Sequence, residues 1–371
     1  MSQQILITGG AGFIGSHVAD ELLAHGHRVR ALDNLTLQVH PDRTRPAYLN
    51  PEIELVVGDV RDRDSVRRAL RNVDAVYHFA AMVGVGQSMY QVTDYTSVND
   101  VGTAVLLEAL IEKPVERLVV ASSMSVYGEG LYRTADGTVS VPVERTLEQL
   151  RVAEWEVRNE NGEVLEPAPT PESKVPSLRS IYALTKYDQE RMCLLIGDAY
   201  RIPTVALRFF NVYGTRQALS NPYTGVLAIF GSRFLNGNPP VIFEDGLQRR
   251  DFVSVYDVAQ ACRLALTAPA AAGGVFNVGS GESVTVREIA RRMAAVLGLE
   301  HIQPEITSQY RVGDIRHCFA DITRAREGLS YQPRVTLEDG LVELAGWLAG
   351  QQAQDRVGEA RQELQSRGLT V

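Results

Sequence analysis

Tyr182 and Lys186 stand four residues apart in the run YALTK. On a helix that spacing puts both side chains on one face, about one turn apart. A phenol is almost fully protonated near neutral pH. An ammonium beside it favours the phenolate, and such a tyrosine can act as a general base. A hydroxyl residue, Ser123, stands in ASSMSVYG, where an apolar run breaks into small residues at the end of a strand. By itself a Tyr and Lys at this spacing also fits an exposed helix with no chemistry.

A glycine loop gives the pair its context. ITGGAGFIG sets Gly9, Gly12 and Gly15 between a first strand and a helix. Glycines there allow a tight turn, close approach of backbone to a pyrophosphate, and close packing of helix on strand. The helix N-terminus then faces the phosphate charge. Asp33 ends the second strand, near the offset expected of the acid that holds the adenosine ribose hydroxyls. Asn34 follows it rather than Arg, which favours NAD over NADP, although Arg28 and Arg30 are near in sequence. A positively charged nicotinamide would add to the pull toward the Tyr182 phenolate. Asp59, at the end of the third strand, has two readings of equal weight: a partner for the adenine amino group, or the N-cap of the helix in RDRDSVRRAL.

Positioning these groups requires a particular framework. Apolar runs at 5–8, 28–33, 54–59, 75–81, 117–123 and 204–210 read as strands. Between them IGSHVADELLAHG, DSVRRALRN, VNDVGTAVLLEAL and YALTKYDQERMCLLIGDAY carry apolar residues at helical spacing. Such alternation predicts a parallel sheet with helices on both faces. Residues 130–178 break the rhythm and are polar. EWEVRNENGEVLEP within them predicts a hairpin turning at Asn161-Gly162, with Trp155 and Val157 on one face. It holds no Cys or His, so a surface insertion near the site is expected rather than a zinc knuckle. Residues 351–371 read as a polar tail or a solvated helix.

Bulk properties narrow the class. The chain has 371 residues and a formal net charge of −8, which argues against a general nucleic-acid binder. Three scattered cysteines, Cys193, Cys262 and Cys318, offer no disulfide framework and no metal spacing, so a reducing cytosol is expected. The N-terminus enters QILITGG without the pattern of a signal peptide, and no apolar run is long enough to span a bilayer.

TGGAGFIG, HFAA, SVNDVGT, SSMSVYG, YALTK, LRFFNVYG, DGLQRRDFVSVYDVA, FNVGSG and YRVGDIRH together resemble the extended short-chain dehydrogenase/reductases of the NAD-dependent nucleotide-sugar epimerase/dehydratase family. The resemblance runs from Ile5 to about Leu348. It implies an α/β fold, a Rossmann-type doubly wound parallel sheet over residues 1–210, and a smaller mixed α/β substrate lobe over 211–350, interleaved with the first domain. It implies NAD lined by the glycine loop with Phe13 and Ile14, by Asp33, Asn34, Asp59 and Val60, and by Phe79, Ala80, Ala81 and Asn99. Ser123 would bond the reacting sugar oxygen beside Tyr182. Lys186 would hold the nicotinamide ribose and lower the Tyr182 pKa. Asn211 and Val226 would lie near a sugar diphosphate, Phe243 would stack on the base, and Arg250 and Arg311 would hold the diphosphate or ribose. For each arginine a surface ion pair with Asp251 or Asp314 stays open.

Relatives of this kind share oxidation at sugar C4. Those that dehydrate usually carry Asp-Glu just before VYG, and decarboxylating ones carry Glu at the second position. Here Met124 and Ser125 stand there. Neither is an acid near neutral pH, and elimination or C5 proton removal needs an ionisable group in reach. The expected reaction is therefore 4-epimerisation. The long insert and RFFNVYGTRQALSNPYTGVLAIF are most similar to dTDP-L-rhamnose 4-epimerases, with UDP-glucose and UDP-glucuronate 4-epimerases as alternatives. A dehydratase or decarboxylase would need a further acid, for which Glu129 and Glu144 are candidates. A non-catalytic NAD-binding regulator ranks last, because Tyr182 and Lys186 are both present. A homodimer through helices around 101–110 and 182–196 is also expected.

Overall fold

The computed structural model describes residues 2–370. Six strands form at the apolar runs: β1 (Gln4–Thr8), β2 (Arg28–Asp33), β3 (Glu54–Val57), β4 (Ala75–His78), β5 (Arg117–Ser123) and β6 (Thr204–Phe209). A seventh, β7 (Val275–Val278), comes from the short run VFNV. All pair in parallel in the order β7-β6-β5-β4-β1-β2-β3. The order reverses between β1 and β4. Ligands of open α/β sheets bind at the carboxyl ends of the strands at such a point.

Nine helices flank the sheet and build the second lobe. On and around the sheet lie α1 (Phe13–Ala24), α2 (Arg63–Ala69), α3 (Gly102–Glu112) and α4 (Ile181–Tyr200). Later in the chain come α5 (Val226–Leu235), α6 (Val255–Thr267), α7 (Val286–Leu297), α8 (Leu337–Leu348) and α9 (Val357–Ser366). Helix α4 starts where the Ser180 side chain accepts from the Ala183 amide, which satisfies one of the orphan donors of its first turn. Apolar residues of α1 and α6 form one core against the sheet, and those of α2, α3 and α4 form the other. Helix α3 is entered through a π-helical turn, Thr96–Val101, which the sequence pattern did not predict.

The second lobe has its own core, in which Phe230 of α5, Met293 of α7 and Leu344 of α8 meet. Yet α6 packs on α1, and β7 completes the large sheet. The chain thus leaves the sheet layer after β6 and returns to it.

The insertion is less bland than expected. It forms a three-stranded antiparallel sheet from Val139–Ser140, Leu131–Arg133 and Glu166–Ala168. The hairpin is present, short, with Arg158 bridged to Val164 and the Leu165 amide donating to the Val157 carbonyl at 2.9 Å. Trp155 and Val157 are both buried. Between them Glu156 takes hydrogen bonds from the fully buried Arg316 and meets His317 at 3.2 Å. Of the two readings of 351–371, the helix is present over Val357–Ser366, but it is not wholly solvated. Helix α9 buries Ala360 and Leu364, because its apolar residues recur on one face, and Leu364 lies against Gly86.

Candidate active site

A cavity of about 800 Å³ runs from the glycine loop across the carboxyl ends of β1, β4 and β5 into the second lobe. Its floor is the turn after β1. Gly9 has φ of 72°, and a Cβ there would sit 3.0 Å from the Ala80 amide nitrogen. A Cβ on Gly15 would meet the Gly9 carbonyl oxygen at 2.3 Å. Both glycines are therefore required by packing. Gly12 is the N-cap of α1, whose first turn has no side-chain cap and no acidic residue. Its free amides suit an anion. Phe13 and Ile14 line the cavity beside it.

Asp33 ties the loop together. Its Oδ2 accepts from the Ala11 amide at 3.0 Å and its Oδ1 from the Leu35 amide at 2.9 Å. A carboxylate has about four lone-pair sites, so both oxygens keep acceptor capacity toward the cavity that Asp33 lines. Arg30 points elsewhere, to Glu54 and to the carbonyls of Ala69 and Arg71. No guanidinium from β2 reaches the place where a ribose 2′-phosphate would sit. An open helix end, a ribose-facing carboxylate and a backbone stripped of Cβ atoms fit NAD.

Two expectations are corrected here. Asp62, not Asp59, caps α2. Asp59 instead pairs with Arg61 at 2.7 Å and accepts from Asn34, and the Arg61 side chain holds its pKa down to about 2. It is Asn34, Val60 and Arg61 that line the cavity beside it. Asn99 is fully buried behind the wall rather than on it. Its Oδ1 accepts from the Met82 amide at 2.7 Å and its Nδ2 donates to Met82 and Thr185. Asn99 thereby fixes the Phe79–Ala81 loop, whose three residues do line the cavity.

Ser123, Met124, Ser125, Tyr182 and Lys186 share one stretch of wall. The end of β5 supplies the first, a 3₁₀ turn (Met124–Tyr127) the next two, and the first turns of α4 the last two. Ser125 Oγ donates to Ser123 Oγ at 2.9 Å. Burial pushes the Tyr182 phenol up, and the Ser123 hydroxyl beside it draws it partly back. Lys186 was expected to depress that phenol. Here its Nζ donates to Gln189 Oε1 at 2.6 Å, and burial lowers its own pKa to about 8. It still carries its charge at neutral pH.

In the second lobe Asn211, Val226, Phe243, Arg250 and Arg311 all line the same cavity. The Arg311 guanidinium lies 5.4 Å from the Phe243 ring centroid and is paired with Asp314 at 2.8 Å. Asp251 does not pair with Arg250. It is buried and accepts from Ser280 and Gly281. Arg250 donates instead to the carbonyls of Arg249, Ile315 and Arg316. The buried oxygens Asn211 Oδ1, Gln217 Oε1 and Gln248 Oε1 have no protein partner, and all three residues face the cavity. Buried acceptors without donors are costly, which suits a polar ligand.

Sequence reasoning missed Gln38, Arg179, Gln217, Asn221 and Tyr223 in the wall, and also Val357, Ala360, Arg361 and Leu364 of α9. The last group carried a signal: Val357, Ala360 and Leu364 stand at helical spacing. Glu129 and Glu144 are not in the wall. Glu129 accepts from Tyr132 and from the amides of Arg316 and His317, and Glu144 pairs with Arg179 at 2.7 Å.

A model of the NAD dependent epimerase/dehydratase family matches residues 5–151 and 160–279. The dTDP-L-rhamnose 4-epimerase of Burkholderia thailandensis is 36% identical over 356 residues, covering 94% of this chain and 95% of that protein. The UDP-glucose 4-epimerase of Thermotoga maritima, solved with UDP-glucose, superposes with a TM-score of 0.76 at 30% identity, covering 93% of this chain and 98% of that one. The UDP-glucuronic acid 4-epimerase of Bacillus cereus, solved with UDP-glucuronic acid and NAD, gives 0.76 at 27% identity, covering 93% and 99%.

Proposed function

Since the chain belongs to the NAD-dependent epimerase/dehydratase family, we propose that it is an isomerase that inverts C4 of a nucleotide-activated sugar, and that this sugar is a dTDP-linked 6-deoxyhexose of the L-rhamnose type. The observation that carries the reaction is the wall around Ser123. Tyr182 and Lys186 stand there with Met124 and Ser125, which offer no acid or base for C5 or C6. Glu129 and Glu144, the two candidate acids, are held elsewhere by the partners named above. The substrate class rests on the likeness to the Burkholderia enzyme along nearly the whole of both chains.

The glycine loop, Asp33 and Lys186 would hold NAD. When bound, NAD takes up a hydride from sugar C4 and gives it back. Tyr182 Oη removes the proton of the C4 hydroxyl and later returns it. Ser123 Oγ holds that oxygen in line. The Lys186 ammonium favours the tyrosinate that must be present to accept that proton. Arg250, Arg311 and Asn211 keep the diphosphate in place while the keto-sugar turns its other face. Hydride returned to that face would invert the centre.

A homodimer is proposed through α3 and α4, supported by Val101, Leu184 and Leu195, which stay exposed on and beside these helices. Three buried, unpaired cysteines support a reducing cytosol as its location.

The test is turnover in heavy water with a panel of nucleotide sugars deuterated at C4. The expected product keeps its label at C4 and shows no solvent deuterium at C5. Deuterium at C5 or loss of the C6 oxygen would assign a dehydratase. Turnover of UDP-glucose but not of dTDP-L-rhamnose would replace the substrate class.

A further inference from the structure

The C-terminal segment is fastened at both ends. Before α9, Asp355 accepts from Arg233 at 2.8 Å and from Asn238 at 2.7 Å. After α9, the Val312 amide donates to the Leu369 carbonyl at 3.0 Å, and Thr370 bridges to Arg311. Between these anchors the Arg361 guanidinium donates to Glu305 and Gln309, and Arg367 lies 4.5 Å from the Tyr90 ring centroid.

The inner face of α9 meets the cavity at one identifiable place. A Cβ built on Gly86 would lie 3.4 Å from Leu364 Cδ2 and 3.8 Å from Arg311 Cδ. Leu364, Gly86 and Arg311 therefore converge. Arg311 in turn stacks over Phe243. Glu305, which holds Arg361, sits on a two-residue strand paired with Val241–Ile242, immediately before Phe243. Helix α9 thus covers the Phe243–Arg311 end and not the glycine loop. Leu364 is 4% exposed although it lies on a polar tail.

We propose that α9 is part of the substrate site, the outer wall of the pocket for the nucleoside diphosphate, with Leu364 as the residue that closes it over Arg311 and Phe243. This rests on the reading that the Phe243–Arg311 end takes the nucleotide. Three consequences follow from the geometry. Leu364 contributes apolar contact and excludes water from the Arg311 guanidinium, which strengthens its grip on phosphate. Loosening α9 is expected to weaken nucleotide binding. NAD binding does not depend on α9.

The experiment measures binding of dTDP and of UDP by calorimetry to the full-length NAD-loaded protein. Leu364→Ala is expected to weaken the better of the two by about tenfold. Leu364→Met should recover most of the affinity, because its volume is similar. Arg361→Gln, which removes the guanidinium bonds to Glu305 and Gln309 and keeps Leu364, should weaken it by a few-fold. NAD released on denaturation should stay at the wild-type amount in all three. An unchanged Kd in Leu364→Ala overturns the proposal. So does parallel loss of NAD and dTDP, which would make α9 a support for the fold. A wild type that binds neither nucleotide overturns it together with the nucleotide-sugar reading. Nucleotide binding lost in Leu364→Ala, in a wild type that inverts nothing at C4, would leave the wall standing and remove only the 4-epimerase assignment.

Discussion

Ser125 Oγ donates a 2.9 Å hydrogen bond to Ser123 Oγ, and the Ser125 amide lies 3.2 Å from the same oxygen. Two donors on one hydroxyl oxygen leave its own proton free to point away from both. That proton is then directed into the cavity, toward Tyr182 and the reacting oxygen. Ser125 is a positioning residue under this geometry. Ser125→Ala removes the hydroxyl donor and keeps the amide. One neutral hydrogen bond corresponds to about 1 kcal/mol, so kcat should fall about fivefold with KM little changed. Ser125→Thr should restore it. A kcat unchanged in Ser125→Ala would show that the amide alone sets Ser123.

Tyr182→Phe keeps the ring that packs edge-on against Tyr95 at 6.4 Å. Folding and NAD content should therefore survive. Removal of the phenolic oxygen should lower kcat on the order of 10²-fold or more. Burial holds the phenol pKa up. The basic form of wild type is therefore scarce at neutral pH, and kcat should rise with pH until another group fails. A kcat flat with pH, or near-normal turnover of the Phe variant, would assign the base elsewhere.

Arg250→Lys tests the diphosphate contact. The guanidinium is clamped by three backbone carbonyls, of Arg249, Ile315 and Arg316. An ammonium lacks the planar fork needed to hold them and a phosphate together. KM for the nucleotide sugar should rise at least tenfold, while NAD content stays constant. An unchanged KM would reduce Arg250 to a brace between strands.

Glu156→Gln tests the insertion by pH. The His317 hydrogen bond, with Arg316, lowers the Glu156 pKa from 4.5 to about 2. A carboxyl whose folded pKa is depressed stabilises the fold above its unfolded pKa. That contribution is lost as pH falls through the folded value. The melting temperature of Glu156→Gln should therefore lie below wild type above about pH 5. The gap should close progressively toward pH 2. A gap independent of pH would mean that shape, not charge, links the insertion to Arg316.

Local sequence carried the sheet and the chemistry. Strands β1, β2, β5 and β6 lie where the apolar runs place them, because a strand buried on both faces must be apolar along its length. The glycine loop was legible because only glycine fits Gly9 and Gly15 at their contacts. Tyr182 and Lys186 were legible because helical spacing converts sequence distance into one shared face. Met124 and Ser125 were legible as the place where a second acid is absent.

What sequence could not decide depends on partners far along the chain. Asp59 offered two roles, and the N-cap went to Asp62, a choice between nearby carboxylates that is made only where the helix starts. Asn99 looked like cofactor wall and is a brace, because its partners Met82 and Thr185 come from two other segments. The strand VFNV is too short to declare itself, and exists because β6 presents an open edge to it. Residues 351–371 read as solvated because most of their side chains are polar. Only the tertiary structure brings Gly86 and Arg311 to the face on which Ala360 and Leu364 leave water, and burial of a few apolar groups there outweighs a polar average. Periodicity determines which face of a helix is apolar. Tertiary structure decides whether another surface is there to receive it.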